Sequence, residues 1–265
     1  MKVSLMTNDY QKSQEVQEHL QNELSKTSII IDDNNPDVVI SIGGDGTMLR
    51  AFHEWQNRLD DLRFVGVHTG HLGFYTDWRD FEVLELVQSL QEDTGDYISY
   101  PLLEVEIQTQ NQPTRTYLAL NESTIRQVNR TMVTSVAIGD KDFECFRGDG
   151  LSISTPTGST GYNRSVGGAV LSPSLNTLQL AEIASLNSRS YRTLNSPLII
   201  GDNDYIHLQI NDDTEHIITI DQKNLLLGNI TDLYYRVAKQ RIKFVKYRHM
   251  NFWKRVKEAF VDDET

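Results

Sequence analysis

The sequence contains one glycine-rich turn of the kind that binds phosphate. The turn is Ile42-Gly43-Gly44-Asp45-Gly46-Thr47, and it stands between a buried-strand pattern and a helix pattern. Glycines let the backbone approach a ligand closely, and a helix that begins here presents free N–H groups to an anion. The alternative is a plain strand-to-helix turn in which Asp45 caps the helix, although capping does not need three glycines.

Asp45 also has a catalytic interpretation. Its negative charge is unfavourable beside phosphates unless a metal or a reacting hydroxyl needs it. Phosphoryl-transfer enzymes commonly use such a carboxylate to accept the proton of an attacking alcohol. Asp45 is therefore the candidate general base, and the candidate phosphate turn consists of Gly43, Gly44, Gly46 and Thr47.

Two familiar nucleotide-binding motifs are absent from the sequence. No Gly-Lys pair occurs anywhere, which excludes a Walker-type loop. Leu49 stands where a dinucleotide fingerprint would have its third glycine. A hydride-transfer enzyme of the usual architecture is therefore not expected.

Two further polar stretches suit a nucleotide. Asn121-Glu122 places an amide beside a carboxylate, which fits the vicinal hydroxyls of a ribose, although an ordinary polar turn is the commoner explanation. RGDG at 147–150 and STPTGSTGYNRS at 154–165 are dense in glycine and hydroxyl groups. These residues fit a nucleotide cradle in which Tyr162 stacks on a purine, and a flexible surface loop fits about equally well.

The first ninety-odd residues alternate strand and helix patterns. Apolar runs at 3–6, 29–31, 38–40 and 64–67 predict buried parallel strands. Apolar residues three to four positions apart predict helices at 14–26, from about 47, and with Phe81, Leu84, Val87 and Leu90 on the inner face. This order predicts a parallel sheet with helices on its faces, in which ligands bind at the carboxyl ends of strands.

After about residue 97 the pattern changes to the period-two alternation of antiparallel strands. In this part only 174–186 has helical spacing, and Cys145 is expected in the core. We therefore predict a Rossmann-like α/β domain over 1–98 and a β-rich, β-sandwich-like domain over 99–248. A C-terminal helix and tail over 249–265 are expected to pack back on the N-terminal domain.

Charge and hydropathy exclude other classes of protein. The formal net charge of −12 over 265 residues repels nucleic-acid backbones and anionic lipid. No run approaches the roughly 18 apolar residues of a membrane helix, and the apolar run at 3–6 is too short for a signal peptide. We expect a cytoplasmic protein that binds neither nucleic acid nor membrane.

The charge is unevenly distributed, since residues 236–257 carry nine basic side chains and no acidic one. One explanation places this basic segment near a triphosphate or a subunit interface. The other is a strand edge and a helix face that dock on acidic parts of the same chain.

Taken in order, the motifs resemble those of the NAD kinase family. They are GGDGT at 43–47, HTGHLGFY at 68–75, Asn121-Glu122, RGDGLSISTPTGSTGY at 147–162 and Gly167-Gly168. GGDGT alone also occurs in diacylglycerol-type lipid kinases and phosphofructokinases, whereas the combination is specific. The resemblance implies a cytoplasmic homo-oligomer, a dimer or tetramer, with its site near a subunit interface. It would phosphorylate the adenosine-ribose 2′-hydroxyl of NAD with ATP or polyphosphate and a divalent metal, Mg²⁺, held through the ATP phosphates.

The resemblance also implies roles for individual residues. Asp45 would accept the proton of the 2′-hydroxyl, while Asn121 and Glu122 would hold ribose hydroxyls. Phe74, Thr160 and Tyr162 would surround the adenine, and Asp149 would meet the nicotinamide amide. The other implied NAD-binding positions are Gly46, Arg147, Thr157, Gly161, Asn163, Arg164, Ser165, Ala184 and Gln222. Many members have Ala where this chain has Gly161, and Asp-His where it has Asp221-Gln222.

Two other functions compete with NAD phosphorylation. A diacylglycerol-type lipid kinase would share the GGDGT turn, but the short C-terminal helix is the only candidate for an exposed membrane-binding helix. A non-catalytic dinucleotide-binding sensor would keep the pocket without turnover. The presence of Asp45, Asn121 and Glu122 argues against the sensor.

Overall fold

The computed structural model describes residues 1–70, 73–110, 112–127, 129–189, 192–248 and 251–262. Its helices are α1 (Gln11–Leu24), α2 (Asp45–Trp55), α3 (Val83–Gln91), α4 (Tyr162–Ser165) and α5 (Phe252–Phe260), with 3₁₀ turns at Gln56–Arg58 and Thr157–Thr160. None of these helices is long and apolar enough to cross a membrane.

The strands fall into two groups along the chain. The first five are β1 (Lys2–Thr7), β2 (Ile30–Ile31), β3 (Val38–Ile42), β4 (Arg63–His68) and β5 (Trp78–Arg79). The others are β6 (Tyr97–Thr109), β7 (Arg115–Ala119), β8 (Glu122–Gln127), β9 (Met132–Ile138), β10 (Lys141–Gly148), β11 (Gly150–Ser154), β12 (Thr177–Ile183), β13 (Leu198–Gly201), β14 (Ile206–Gln209), β15 (His216–Ile220), β16 (Lys223–Leu227) and β17 (Ile230–Val245). The chain forms two compact units, residues 1–99 with 241–265 and residues 100–240. The domain boundaries at 98 and 248 stay a prediction.

The first unit is built on a parallel sheet. β1 pairs with β2 and β3, β3 pairs with β4, and β4 pairs with β5 and with Phe244 of β17. Every residue of β3 is buried, as expected for a strand covered on both faces. Leu20 of α1 and Leu86 of α3 join Ile40 of β3 in one apolar core. The predicted α/β domain is confirmed.

The second unit consists of antiparallel sheets. Six strands pair in the order β13-β12-β11-β8-β15-β16. In the other sheet β10, β9, β14 and β17 are neighbours, and β17 also pairs with β6, which pairs with β7. One core combines side chains of both sheets, such as Ile125 and Ile153 from the first and Val136 and Leu233 from the second. The predicted β-sandwich-like domain is confirmed.

The segment 174–186 contains a strand rather than the predicted helix. Leu178 and Leu180 of β12 enter the core, while Gln179 is buried on the opposite face. The Gln179 side-chain amide pairs with both the N–H and the carbonyl of Ala169. Because both faces of β12 are covered, its apolar residues do not alternate, and their spacing imitates that of a helix.

Two burial predictions are also wrong. Phe81 and Leu84 are exposed, because α3 begins only at Val83 and buries the face on which Val83 lies. Cys145 is exposed rather than in the core. β10 shifts register shortly before this residue, so that Phe146 is the side chain that turns inward.

α5 packs within the first unit, as predicted for the C-terminal helix. Asn251 caps the helix by accepting the Trp253 N–H at 2.9 Å. Arg255 is only 4% exposed, donates to the Gly73 carbonyl at 2.9 Å and forms an ion pair with Asp77. The helix is therefore fixed to the loop that follows residue 72.

Other side chains of the basic segment also bind acidic groups of their own unit. Arg236 lies 3.4 and 3.3 Å from the carboxylates of Glu104 and Glu106 in the second unit. Arg248 forms an ion pair with Glu82 in the first unit. These contacts support the explanation in which the basic segment docks on acidic parts of the same chain.

Candidate active site

Asp45 is oriented by the backbone of another loop and does not cap its own helix. Gly44 is the N-cap residue of α2, and Asp45 is the first helical residue. The two carboxylate oxygens of Asp45 accept the N–H of Phe74 at 2.8 Å and of Tyr75 at 2.9 Å. Each oxygen keeps a further lone pair, so the carboxylate is held in one direction and can still accept a proton. The capping alternative is therefore wrong.

Two glycines permit close contacts near Asp45, one in the orienting loop and one within the phosphate turn. A Cβ atom at Gly73 would overlap Oδ1 of Asp45, so the loop can approach this carboxylate only because Gly73 has no side chain. Gly43 has φ +151°, and a Cβ there would overlap the Thr47 hydroxyl within the turn.

The start of α2 presents backbone donors at the phosphate turn. Gly44 and Gly46 are exposed. The helix bonds begin with the N–H groups of Thr47 and Met48, which donate to the Gly44 carbonyl at 2.9 and 3.3 Å. The N–H groups of Asp45 and Gly46 come before these bonds, as the first donors of a helix do. Exposed glycines at a helix start suit a phosphate group.

The loop that orients Asp45 is anchored by α5. The Phe74 ring lies between two rings of that helix, with centroids 6.0 Å from Phe252 and 5.7 Å from Phe260. Arg255 holds the carbonyl of the preceding Gly73. The adenine contact assigned to Phe74 stays a prediction, and α5 fixes the position of its ring.

In the second unit, the turn at residues 120–122 is hydrogen-bonded on two sides. The Asp221 carboxylate accepts the N–H groups of residues 120, 121 and 122 at 2.9, 2.7 and 3.2 Å. The hydroxyls of Thr155 and Thr157 donate to the Leu120 carbonyl at 2.7 and 3.1 Å. The turn that carries Asn121 and Glu122 is therefore fixed before any ligand binds.

The Glu122 side chain is half-buried, and its Oε2 atom has no hydrogen-bond partner among the described residues. Burial, followed by the negative charge of Asp221, raises the pKa of Glu122 to about 8. At neutral pH this carboxyl carries a proton and can donate a hydrogen bond. A Cβ at Gly161 would lie 3.3 Å from Oε2, so the glycine leaves room beside this oxygen.

Residues 155–159 of the hydroxyl-rich stretch are buried, whereas Gly161, Arg164 and Ser165 are exposed. The Thr155 hydroxyl accepts the Gly158 N–H at 3.0 Å and lies 2.9 Å from that of Thr157. A Cβ at Gly158 would overlap the backbone carbonyl of Asn121. The surface-loop alternative is therefore wrong for residues 155–159, and the hydroxyls of Thr155 and Thr157 hold the backbone of the turn at 120–122.

The other predicted NAD-binding residues occupy varied environments in the second unit. The Arg126 guanidinium lies 5.7 Å from the centre of the Tyr162 ring. The Asn163 side chain is fully buried. Ala184 lines a cavity of about 350 Å³ together with Glu182. Arg147 and Thr160 are partly exposed, while the exposed positions are Asp149, Gly161, Arg164, Ser165, Ala184 and Gln222. Their contacts with NAD stay predictions.

The sequence patterns do not single out Asp221, Thr155 or Arg255 as supports of the site. An aspartate in a two-residue turn between two strand patterns is a weak signal for Asp221. Thr155 is one hydroxyl among many, and Arg255 is one basic residue in an amphipathic helix. Their roles depend on tertiary contacts.

The donor set of the described residues fits a metal that arrives with a nucleotide. No group of three His, Cys, Asp or Glu side chains comes together in the described part of the chain. Mg²⁺ usually keeps several waters and binds through one or two carboxylates and the phosphates of its substrate. Asp45 is the carboxylate of the phosphate turn that fits this pattern.

Comparison with known proteins decides the family. Residues 1–94 match the family model of the ATP-NAD kinase N-terminal domain, and residues 120–248 match that of the ATP-NAD kinase C-terminal domain. The NAD kinase of Enterococcus faecalis is 52% identical over 265 residues, covering 100% of both chains. The chain belongs to the NAD kinase family. Another NAD kinase, from Levilactobacillus brevis, is 52% identical over 266 residues, covering 100% of this chain and 99% of its own.

Solved NAD kinase structures share the fold. Yeast NADH kinase, solved with NADH, has a TM-score of 0.84 at 18% identity and covers 100% of this chain and 89% of its own. An NAD kinase from Archaeoglobus fulgidus, solved with ATP, has a TM-score of 0.75 at 22% identity, covering 93% and 94%. The predicted resemblance to the NAD kinase family is confirmed.

Proposed function

We propose that the chain transfers a phosphoryl group from ATP to the 2′-hydroxyl of the adenosine ribose of NAD, which gives NADP. Identity of 52% over the full length of a known NAD kinase supports this activity. The single observation that carries the chemistry is the Asp45 carboxylate, oriented by two backbone N–H groups at a glycine-rich helix start.

In the proposed reaction, Asp45 accepts the proton of the 2′-hydroxyl as the hydroxyl oxygen attacks the γ-phosphorus of ATP. The bond between the γ-phosphorus and the β–γ bridging oxygen breaks, and ADP leaves. A ribose hydroxyl is a weak nucleophile, so catalysis depends on the base, on positioning and on charge stabilisation. The proposed phosphate turn consists of Gly43, Gly44, Gly46 and Thr47, and the N–H groups of Asp45 and Gly46 at the start of α2 supply partial positive charge for a phosphoryl group. Asp45 is the one residue of this chain to which the proposed step assigns a proton transfer.

Most of the proposed NAD contacts come from the second unit, and Gly46 and Phe74 come from the first. Asn121 offers an amide donor and acceptor, and Glu122 offers a carboxyl proton, to the ribose hydroxyls. Phe74, Thr160 and Tyr162 contact the adenine, and Asp149 meets the nicotinamide amide. The remaining proposed contacts are Gly46, Arg147, Thr157, Gly161, Asn163, Arg164, Ser165, Ala184 and Gln222.

The proposal includes a divalent metal, Mg²⁺, held through the ATP phosphates, where it would neutralise charge on the triphosphate. Polyphosphate is the alternative phosphoryl donor. By resemblance to the family we also propose a cytoplasmic homo-oligomer, a dimer or tetramer, with the site near a subunit interface. No nucleic acid or membrane takes part.

The Asp45→Asn variant tests the proposed base. The variant should bind NAD with unchanged affinity, measured by calorimetry, and lose NADP formation by about 10²–10⁴-fold. Asp61→Asn changes an exposed aspartate of the same unit and serves as the control. Near-full activity of Asp45→Asn would exclude the base role.

A substrate comparison separates the competing functions. The wild-type protein is incubated with ATP and Mg²⁺ and with either NAD or diacylglycerol. Phosphorylation of diacylglycerol alone would favour the lipid kinase, and NAD binding without NADP formation would favour the sensor. Repeating the assay with polyphosphate and with NADH identifies the preferred donor and acceptor.

A further inference from the structure

Asp221, which lies outside the proposed NAD-binding set, holds the turn that presents Asn121 and Glu122. It occupies the turn between β15 and β16, and its φ is +51°. Its carboxylate accepts three consecutive N–H groups, those of residues 120–122. Its own N–H donates to the Glu122 carbonyl at 2.9 Å. Four hydrogen bonds therefore connect one residue to this turn.

The backbone of Asp221 indicates that these contacts matter to the fold. Residues other than glycine seldom adopt a positive φ, although aspartate does so more readily than most. Three hydrogen bonds to an ionised carboxylate are strong enough to offset that local cost. The carboxylate is therefore committed to the turn as the acceptor of three hydrogen bonds.

The surroundings of Glu122 contain one charged group that acts on it. β11 places Ser154 opposite Glu122, and the segment before α4 contributes the backbone of Gly161. From the turn between β15 and β16 comes Asp221, whose negative charge acts on the Glu122 carboxyl. The buried Oε2 atom of Glu122 has no partner among the described residues, so a ligand oxygen can satisfy it.

We propose that Asp221 is a positioning residue that fixes the Asn121–Glu122 turn, so that the turn presents the Glu122 carboxyl to a ribose oxygen of NAD. The identity of this ligand rests on the proposed function. The hydrogen bonds to the turn and the charge beside Glu122 do not.

The pH dependence follows from the direction of the pKa shift. The pKa of Glu122 is raised from 4.5 to about 8, so its contribution to stability is complete below pH 4.5 and is lost as pH rises through about 8. Because the protonated carboxyl is the donor, kcat/KM for NAD should fall over the same alkaline range. Removing the Asp221 charge should shift this fall to lower pH, while burial keeps it above 4.5.

The first test needs no NAD. In Asp221→Asn, carbon-detected NMR titration should show a lower Glu122 midpoint, and hydrogen exchange of the amides of residues 120–122 should be faster. Asp202→Asn removes an exposed aspartate just after β13 and should change neither measurement. If Asp221→Asn keeps the wild-type Glu122 midpoint and the wild-type amide exchange rates at residues 120–122, the positioning role is overturned.

The second test uses steady-state kinetics from pH 6 to about 9.5, a range that brackets the raised pKa. Asp221→Asn should raise KM for NAD about tenfold and leave KM for ATP nearly unchanged. Glu122→Gln cannot ionise, so it should lack the alkaline fall, and adding Asp221→Asn to it should produce no further shift of the profile.

The outcomes separate this inference from the proposed function. A wild-type protein that forms no NADP contradicts the function, while the NMR and exchange results still judge Asp221. A wild-type protein that forms NADP, together with an Asp221→Asn variant of unchanged KM and pH profile, overturns the inference. If Asp221→Asn does not fold, an alkaline fall that persists in Glu122→Gln overturns it.

Discussion

The Asp45 and Asp221 carboxylates both accept consecutive backbone N–H groups, but their proposed roles differ. The proposed reaction uses the accepting carboxylate in the Asp45 contact and the residues that donate in the Asp221 contact. In the first unit the carboxylate is the proposed base, and the loop that contains Phe74 and Tyr75 orients it. In the second unit Asp221 does the orienting, and the turn at 120–122 carries the residues proposed to contact NAD. The same hydrogen-bond pattern can therefore fix either the acceptor or the donors.

The two contacts differ in what supports them. The loop beside Asp45 depends on α5, through Arg255 and the ring of Phe74. The turn at 120–122 is supported within its own sheet, by Asp221 on one side and Thr155 on the other. Damage to α5 should therefore affect the base, and damage near Thr155 should affect NAD binding.

The largest expected effect comes from Arg255→Ala. This change removes a buried ion pair with Asp77 and the donor to the Gly73 carbonyl, which should cost about 3–5 kcal/mol of unfolding free energy in urea. In the fraction that remains folded, kcat should fall more than KM for NAD rises. Lys254→Ala, whose side chain is 63% exposed, is the control. An unchanged kcat in Arg255→Ala would show that α5 does not support the base.

Gly158→Ala should weaken the other turn. The new methyl group would overlap the Asn121 carbonyl, which should cost about 2–3 kcal/mol of unfolding free energy and raise KM for NAD more than it lowers kcat. Gly201→Ala provides the control, since a Cβ there meets no atom within 4 Å. Equal stability of the two variants would contradict the close contact.

A smaller effect is expected from Thr155→Val, which keeps the side-chain volume and removes the hydroxyl. The lost hydrogen bonds to the Leu120 carbonyl and from the Gly158 N–H should cost about 1–2 kcal/mol. The buried Thr177 hydroxyl has no hydrogen-bond partner among the described residues, so Thr177→Val should be neutral or stabilising. Thermal unfolding of both variants tests this contrast, and equal losses would contradict it.

The sequence predicts the elements of the fold best where one residue pattern has one structural meaning. Alternation of strands and helices before residue 97 identifies the parallel sheet, and period-two patterns identify the sandwich. The pattern is ambiguous at 174–186, where a strand is buried on both faces, and at Cys145, where a register shift reverses the alternation.

The candidate site shows the same limit. The glycine spacing predicts Asp45 as a site residue, and the ordered motifs predict Asn121 and Glu122. The partners that orient them lie far away in sequence, since Asp221 reaches the turn from the β15–β16 connection and Arg255 reaches Gly73 from α5. Such pairings depend on long-range packing, which the local patterns of one sequence do not contain.

The first unit combines residues 1–99 with residues 241–265, and this has a consequence for synthesis. A ribosome releases the N-terminal strands and the phosphate turn first, but Arg255 only after the whole β-rich unit. The growing chain therefore carries Asp45 long before it has the helix that anchors the orienting loop. The contacts that anchor the orienting loop can therefore form only after α5 has been synthesised.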